Sequence, residues 1–176
     1  MKICVKAKKN ETIGLLELYD NEGNKLLCSN VNIGKNGLTR NKKEGDGKTP
    51  IGVFGLGIAF GIHEKVETKL DYIRIYKNLY WVDDAKSKYY NQLVNIQKVE
   101  KDWNSAEHLI DYPKEYEYAI QIKYNENNVP GKGSAIFLHC NVGKPTAGCI
   151  ALEREKMLEV LKILDKNDLI CIDKID

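Results

Sequence analysis

The part of the chain that decides the fold is the run GSAIFLHCNVGKPTAGCIAL at Gly133–Leu152. Its first segment, Ser134–His139, is apolar on both faces, and this pattern predicts a central strand of a sheet. Cys149 lies ten positions after His139 in the chain. This spacing allows a loop to return Cys149 to a place beside the end of that strand.

Short strands and turns dominate the sequence on the N-terminal side of this run. Alternating or apolar segments bounded by turn residues predict strands, and they lie at Ile3–Ala7, Thr12–Tyr19, Lys25–Cys28, Tyr72–Ile75, Tyr80–Val82 and Tyr118–Tyr124. Asn32–Pro50 is rich in Gly, Asn and Lys and predicts a long loop. The polar segment Asp83–Tyr90 predicts a loop or a helical turn.

One helix is predicted on the C-terminal side, at Glu153–Asp165. Its apolar residues recur at helical spacing and its charged residues occupy the other face. A last strand is predicted at Leu169–Ile172. Many short strands and one substantial helix predict a mainly β fold, a β-sandwich of mixed sheets with the helix packed alongside and short helical turns.

The composition predicts one globular domain, residues 1–176, because domains average about 150 residues. With 27 basic and 25 acidic residues the formal net charge is +2, which does not favour nucleic-acid binding. The longest stretch without a charged residue, Thr49–His63, is too short to span a bilayer as a helix. Met1–Asn10 contains no apolar core of a secretory signal, which favours a cytoplasmic protein unless export depends on something outside this chain.

The five cysteines do not form a pattern typical of a disulfide scaffold or a zinc site. Their number is odd, their spacings are wide, and no C-x-x-C occurs. We therefore predict neither a metal nor a cofactor. Three of them lie in apolar strand-like segments and are interpreted as core thiols: Cys4, Cys28 and Cys171.

Cys149 and His139 are the main candidates for chemistry. A thiol is a good nucleophile only as the thiolate, and a neighbouring imidazole is a common way to obtain it. Backbone N–H groups around Gly148 and Cys149 are candidates for an oxyanion hole. The alternative, a hydrogen-bonded core histidine and an inert buried thiol, stays open from spacing alone. Cys140 is adjacent to His139 on the strand and is expected to face away from its ring.

Several further segments, taken with this run, resemble one known family. GSAIFLH and PTAGCIAL, at Gly133–His139 and Pro145–Leu152, resemble the catalytic signature of the L,D-transpeptidase catalytic-domain family, also termed YkuD-like. The blocks KEGDGKTPIGVF at Lys43–Phe54 and WVDD at Trp81–Asp84 match the same branch in the same order. The resemblance covers roughly residues 30–172.

The resemblance implies a mixed-sheet β-sandwich with the active site at one end, Cys149 as nucleophile and His139 as base. It implies that the backbone of Gly148 and Ala147 stabilises the negatively charged oxygen that forms during the reaction. No cofactor is implied. A peptidoglycan stem peptide is the implied substrate, contacted by residues that include Thr146.

Three residues of the matching blocks are candidate substrate contacts: Asp46, Trp81 and Glu107. We expect the first two blocks to approach the Cys149 end of the sheet, because loops on a rigid scaffold carry specificity. Alternatively, Asp46 only caps its own turn and Trp81 only fills the core. Glu107, taken together with Asp83 and Asp84, reads from the sequence as an ordinary solvated acid.

The leading hypothesis is therefore a cysteine acyltransferase of the L,D-transpeptidase type. Two alternatives remain at this point, an L,D-carboxypeptidase that resolves the same thioester with water and a non-catalytic wall-binding domain. The resemblance favours the cell envelope, whereas the N-terminus favours the cytoplasm. A monomer without nucleic-acid partners or a membrane span is expected.

Overall fold

The computed structural model describes residues 1–175, whose strands form sheets of nine, three and two strands. The strands are β1 (Lys2–Lys8), β2 (Ile13–Tyr19), β3 (Lys25–Asn32), β4 (Leu38–Thr39), β5 (Thr49–Pro50), β6 (Gly52–Gly61), β7 (Tyr72–Arg74), β8 (Leu79–Val82), β9 (Leu93–Asn95), β10 (Ala106–His108), β11 (Tyr118–Ile122), β12 (Phe137–Cys140), β13 (Ile150–Leu152) and β14 (Leu169–Ile175). Helix α1 spans Arg154–Ile163, and a 3₁₀ turn spans Leu109–Asp111.

Eight strands of the large sheet close into a barrel. Their order is β11-β12-β13-β3-β2-β1-β14-β6, and β6 pairs again with β11, while β7 extends the sheet from β6. The prediction of a mainly β fold with one helix is confirmed. The expected two-sheet sandwich is replaced by this closed, barrel-like sheet, accompanied by the two smaller sheets.

Closure of the barrel depends on the length of strand β6. Its first half pairs with β14 through Gly52–Gly55, and its second half pairs with β11 through Leu56–Gly61. One strand of ten residues thus joins the two ends of the sheet, a pairing between distant segments that local patterns do not reveal. The sheet is mixed, because β1–β14, β12–β13 and β6–β7 are parallel pairs.

The central strand predicted at Ser134–His139 is confirmed but is shorter than predicted. Gly133 and Ala135 have φ values of 104° and 52°, so the chain leaves the extended region there, and β12 begins only at Phe137. The helix predicted at Glu153–Asp165 is also confirmed with shorter bounds. The predicted loop Asn32–Pro50 contains the short parallel pair β4–β5.

Two buried clusters position the site. The larger one combines side chains of the barrel strands with Met157, Val160 and Leu161 of α1. The second contains Cys149 together with aromatic side chains that include Trp81 and is distinct from the first. Cys28 is exposed, so its interpretation as a core thiol is wrong; its side chain points outward from β3.

Candidate active site

The thiol of Cys149 is held by the backbone that leads into β12. Its Sγ lies 3.2 Å from the carbonyl oxygen of Ala135, to which the S–H donates, and the N–H of Phe137 donates to Sγ at 3.3 Å. The residue is 8% exposed. The loop between β12 and β13 therefore returns Cys149 to the strand that carries His139, as the spacing predicted.

The turn before Cys149 is fixed by Thr146. Its hydroxyl donates to the carbonyl oxygen of Cys149 at 2.6 Å and accepts the N–H of Gly148 at 3.1 Å. The N–H of Gly148, expected to face an oxyanion, is thus already committed to a side chain. Among the hydrogen bonds of residues 1–175, none uses the N–H of Ala147 or Cys149.

The imidazole of His139 is oriented by the next residue along β12. Its Nδ1 lies 2.9 Å from the carbonyl oxygen of Cys140, and because a carbonyl only accepts, Nδ1 carries the proton. Nε2 is then an acceptor, and no residue of the described chain hydrogen-bonds it. The ring of Tyr116 meets the imidazole at 90° with centroids 5.6 Å apart.

Cys149 and His139 open into one cavity of about 270 Å³. Three further residues predicted for the site share its wall, namely Thr146, Ala147 and Glu107. The complete lining is Glu107, Tyr112, Glu115, Tyr116, His139, Val142, Lys144, Pro145, Thr146, Ala147, Cys149 and Ala151. The structure therefore brings the predicted nucleophile, base and turn together.

The thiol of Cys149 is protonated in the resting protein. Burial raises its pKa to about 12, and the nearby charge of Glu107 acts in the same direction, whereas the N–H of Phe137 and the charge of Lys42 act against both. Burial also lowers the pKa of His139, so its imidazole is neutral. The site thus pairs a neutral thiol with a neutral imidazole, rather than the preformed thiolate that the residue types suggested.

Glu107 is not an ordinary solvated acid. It lies opposite Trp81 across the β10–β8 pair, and the hydroxyl of Tyr116 donates to its Oε2. Burial raises the pKa of Glu107 to about 7, with smaller effects in the same direction from the charges of Asp83 and Glu44. A carboxyl group with a pKa near neutrality therefore shares the cavity of Cys149.

Asp46 and Trp81 support the site from outside the cavity. Asp46 accepts hydrogen bonds from the ammonium of Lys42 and from the N–H groups of Lys43 and Lys48, so its side chain is committed to its own loop. Trp81 is 2% exposed, and its ring meets Phe137 edge to face at 4.8 Å. Neither residue lines the cavity shared by Cys149 and His139, and their contact with a substrate stays a prediction.

The loop that contains Asp46 nevertheless reaches the nucleophile segment. The hydroxyl of Thr49 lies 3.4 Å from the carbonyl oxygen of Cys149. A Cβ on Gly148 would lie 2.9 Å from the carbonyl oxygen of Lys48 and 3.5 Å from Cε of Lys42. The predicted approach of this loop to the Cys149 end is therefore observed, through backbone and buried side chains.

Sequence reasoning missed three residues that hold the segment before β12. Glu44 accepts the hydroxyls of Tyr90 and Ser134, and the Tyr90 hydroxyl in turn accepts the N–H of Gly133 at 2.9 Å. Asn91 accepts the N–H of Ala135 at 3.1 Å. The available sequence signal is the adjacent pair Tyr90-Asn91, a residue with a hydroxyl donor followed by one with a side-chain amide.

Cys140 faces the main core, as the strand alternation predicted. Its Sγ lies 3.6 Å from the carbonyl oxygen of Tyr118, and burial raises its pKa to about 11. Within residues 1–175, no group of three or more His, Cys, Asp or Glu side chains is arranged to hold a metal ion. None of the helices described there is long and apolar enough to cross a membrane.

A family model supplies the observation that decides the relationship. The model of the L,D-transpeptidase catalytic domain, YkuD, matches residues 4–172. The chain belongs to this family. A comparison with curated protein sequences gives no significant match.

Solved structures similar to this L,D-transpeptidase domain come from several bacteria. The helical cell shape determining protein Pgp2 from Campylobacter jejuni aligns over 99% of this chain and 48% of its own, with 20% identity and a TM-score of 0.49. L,D-transpeptidase 1 of Mycobacterium tuberculosis aligns over 98% of this chain and 62% of its own, with 13% identity and a TM-score of 0.43. The chain thus spans less than two thirds of either protein. The family assignment rests on the sequence match.

Proposed function

We propose that this domain transfers acyl groups between peptidoglycan stem peptides through a thioester on Cys149, with His139 as general base. The observation that carries the proposal is the shared cavity, whose wall contains both Cys149 and His139, with Nε2 of His139 free of any hydrogen bond within residues 1–175. Membership of the L,D-transpeptidase family supports the same chemistry. One copy of the chain supplies both groups, so the proposal requires only a monomer.

The first half of the reaction forms the thioester. Sγ of Cys149 attacks the carbonyl carbon of an L-residue whose amide joins it to a terminal D-residue, and the thiol proton passes to Nε2 of His139. The C–N bond then breaks, and the departing amine of the D-residue takes that proton. Because thiol and imidazole are both neutral at rest, proton transfer accompanies the attack.

The second half resolves the thioester. An amine of a second stem peptide attacks the thioester carbonyl, the C–S bond breaks, and the sulfur recovers a proton through His139. Attack by water instead of the amine would give a carboxylic acid, which is the hydrolase alternative. Only the acceptor differs between the two outcomes, so product analysis separates them.

We assign the oxyanion to the N–H groups of Ala147 and Cys149. Two donors aimed at the developing negative charge are the usual requirement for such a site. Gly148 contributes through its backbone conformation, since its own N–H is bonded to Thr146. Thr146 and Glu107 are proposed to contact the substrate from the cavity wall.

The test is intact-protein mass spectrometry with a synthetic stem tetrapeptide that ends in D-alanine. We expect an adduct on Cys149 and release of D-alanine, none of either in Cys149→Ala, and a fall of at least about 100-fold in the rate of adduct formation in His139→Gln. Cys28→Ala, which removes an exposed thiol, is the matched control and should behave as the unmodified protein. An adduct on another cysteine, or binding of the peptide without any adduct, would contradict the proposal.

We also propose that the domain acts in the cell envelope, where its proposed substrate is assembled. Fractionation of cells that express the native gene with a C-terminal tag tests this location. Recovery of the protein solely from the cytoplasm would contradict it and would favour processing of wall fragments or precursors.

A further inference from the structure

The carboxyl group of Glu107 has one oxygen that the protein leaves uncommitted. Oε2 accepts the hydroxyl of Tyr116, whereas no hydrogen bond within residues 1–175 reaches Oε1. Asp83 Oδ1 is the one fully buried side-chain oxygen without a partner in that range, so Oε1 is not sealed from solvent. Glu107 lines the cavity of Cys149, so a molecule bound there would meet a carboxyl group whose Oε1 the protein leaves uncommitted.

Glu107 also lacks a cation of its own. No ion pair among the described residues includes it. The other carboxylate of the cavity wall, Glu115, has Lys144 at 3.7 Å. The ammonium of Lys42 is bonded to Asp46, and His139 is neutral. Glu107 is therefore the carboxylate of the cavity wall that is available to form an ion pair with a cationic group bound beside Cys149.

The reaction requires such a cationic group at one step only. A primary amine is protonated at neutral pH, since alkyl ammonium groups have pKa values near 10, and it must lose a proton before its nitrogen can attack a thioester. Water is uncharged and does not have to lose a proton from a cationic form before it attacks. An open carboxylate beside Cys149 is therefore suited to an amine acceptor and unnecessary for hydrolysis.

We propose that Glu107 binds the ammonium group of the acceptor and takes the proton that the nitrogen loses before it attacks the thioester. This inference rests on the proposed function and assigns the residue that binds and deprotonates its amine acceptor. The protons balance: of the three on the ammonium, one passes to Oε1 of Glu107, one reaches the sulfur of Cys149 through His139, and one remains on the new amide.

The surroundings of Glu107 agree with this role. Its carboxyl group faces the hydroxyl of Tyr116 and feels the charges of Asp83 and Glu44, and it acts on the titration of Cys149 and Tyr112. Burial, aided by the charges of Asp83 and Glu44, raises the pKa of Glu107 to about 7, although the hydrogen bond from Tyr116 acts in the opposite direction. A base of this strength accepts a proton from an ammonium far more readily than an ordinary surface carboxylate does.

The experiment compares two acceptors in the unmodified protein and in Glu107→Gln. One acceptor is a stem tetrapeptide with a free side-chain amine, and the other is hydroxylamine, which is largely uncharged at neutral pH. The readout is the ratio of the two products, because this ratio cancels any effect on thioester formation. We expect Glu107→Gln to lower the ratio of peptide product to hydroxylamine product by about 100-fold or more.

Glu115→Gln is the matched control, because it removes a carboxylate from the same cavity wall that already has a cation. It should leave the product ratio unchanged. An equal ratio in Glu107→Gln and in the unmodified protein, with a Cys149 adduct present in both, would overturn the role of Glu107 alone. Absence of a Cys149 adduct in the unmodified protein would overturn the proposed function and this inference with it.

A pH profile of the unmodified protein tests the same role without any substitution. If Glu107 takes the proton, the rate with the peptide amine should rise with pH and level off above about pH 7, the pKa of Glu107. If the free amine attacks without it, the rate should keep rising in proportion to the free amine. Continued rise beyond neutrality would therefore overturn the inference.

Discussion

Gly148 is the residue whose backbone places Cys149. Its φ of 153° lies in a region that residues with a side chain rarely adopt. A Cβ at this position would also lie 2.9 Å from the carbonyl oxygen of Lys48. The approach of that loop to Cys149 thus requires the absence of a side chain as well as an unusual conformation.

Gly148→Ala should destabilise the protein by about 3 kcal/mol or more, because a backbone contact and a strained φ act together. Gly143→Ala is the control, since Gly143 also has a positive φ, 82°, but a Cβ there would meet nothing within 4 Å. Gly143→Ala should lower the free energy of unfolding by about 1–2 kcal/mol. Urea unfolding measures both, and equal losses would show that the contact with Lys48 is unimportant.

Ala135 has a comparable role on the other side of the thiol. It has a φ of 52°, and its carbonyl oxygen accepts the S–H of Cys149. Asn91 bonds the N–H of Ala135 and also accepts the indole N–H of Trp81 at 3.2 Å. Backbone strain at a functional site persists only where the surroundings enforce it, and Asn91 supplies that constraint here.

At the scale of elements, an ion pair joins helix α1 to the barrel. The guanidinium of Arg154, the first residue of α1, donates to both carboxylate oxygens of Glu117, with Nε 2.7 Å from Oε2. His63 adds a contact of 3.0 Å to the same carboxylate. The hydrogen bonds from Arg154, followed by that from His63, lower the pKa of Glu117 from 4.5 to about 2.

This pair should make stability depend on pH in acid. A carboxylate with a lowered pKa stabilises the folded state above its unfolded pKa, 4.5, and loses that contribution as the pH falls toward 2. Because Arg154 is 46% exposed, solvent screening keeps this contribution small. Urea unfolding between pH 7 and pH 2 should show a shallower pH dependence in Glu117→Gln than in the control Glu126→Gln, which affects an exposed pair. The same pH dependence of stability in both variants would contradict the stabilising role of the Glu117–Arg154 pair.

At the scale of the whole molecule, barrel closure and the active site are linked through β11. This strand joins β6 on one side and β12, which carries His139, on the other. At the far end of β6, a Cβ on Gly61 would lie 2.4 Å from the carbonyl oxygen of Glu117. Closure of the barrel thus depends on a close approach between backbones at this glycine.

Gly61→Ala should therefore weaken the closed barrel, with a loss of about 2–3 kcal/mol. Gly55→Ala in the same strand is the control, because its nearest neighbour is the flexible side chain of Lys123 at 3.3 Å, and its effect should stay within about 1 kcal/mol. Urea unfolding compares the two variants. A loss in Gly55→Ala as large as that in Gly61→Ala would contradict the role assigned to Gly61.

The sequence by itself determined the local elements and the two residues proposed to react. Alternating or apolar segments predicted most strands, helical spacing predicted α1, and the pair His139 and Cys149 stood out with Gly148 beside it. These features depend on near neighbours in the chain, whose spacing sets which face a side chain occupies.

Only the tertiary structure decided how the sheet closes and what surrounds the thiol. The pairing of β6 with β11 turned an expected sandwich into a closed barrel. The β10–β8 pair placed Glu107 opposite Trp81, and the fold brought this carboxyl group to Cys149. Burial and charge act through space and sum over residues that are distant in sequence. For that reason, the protonated state of the thiol and the near-neutral pKa of Glu107 emerge only when the chain is folded.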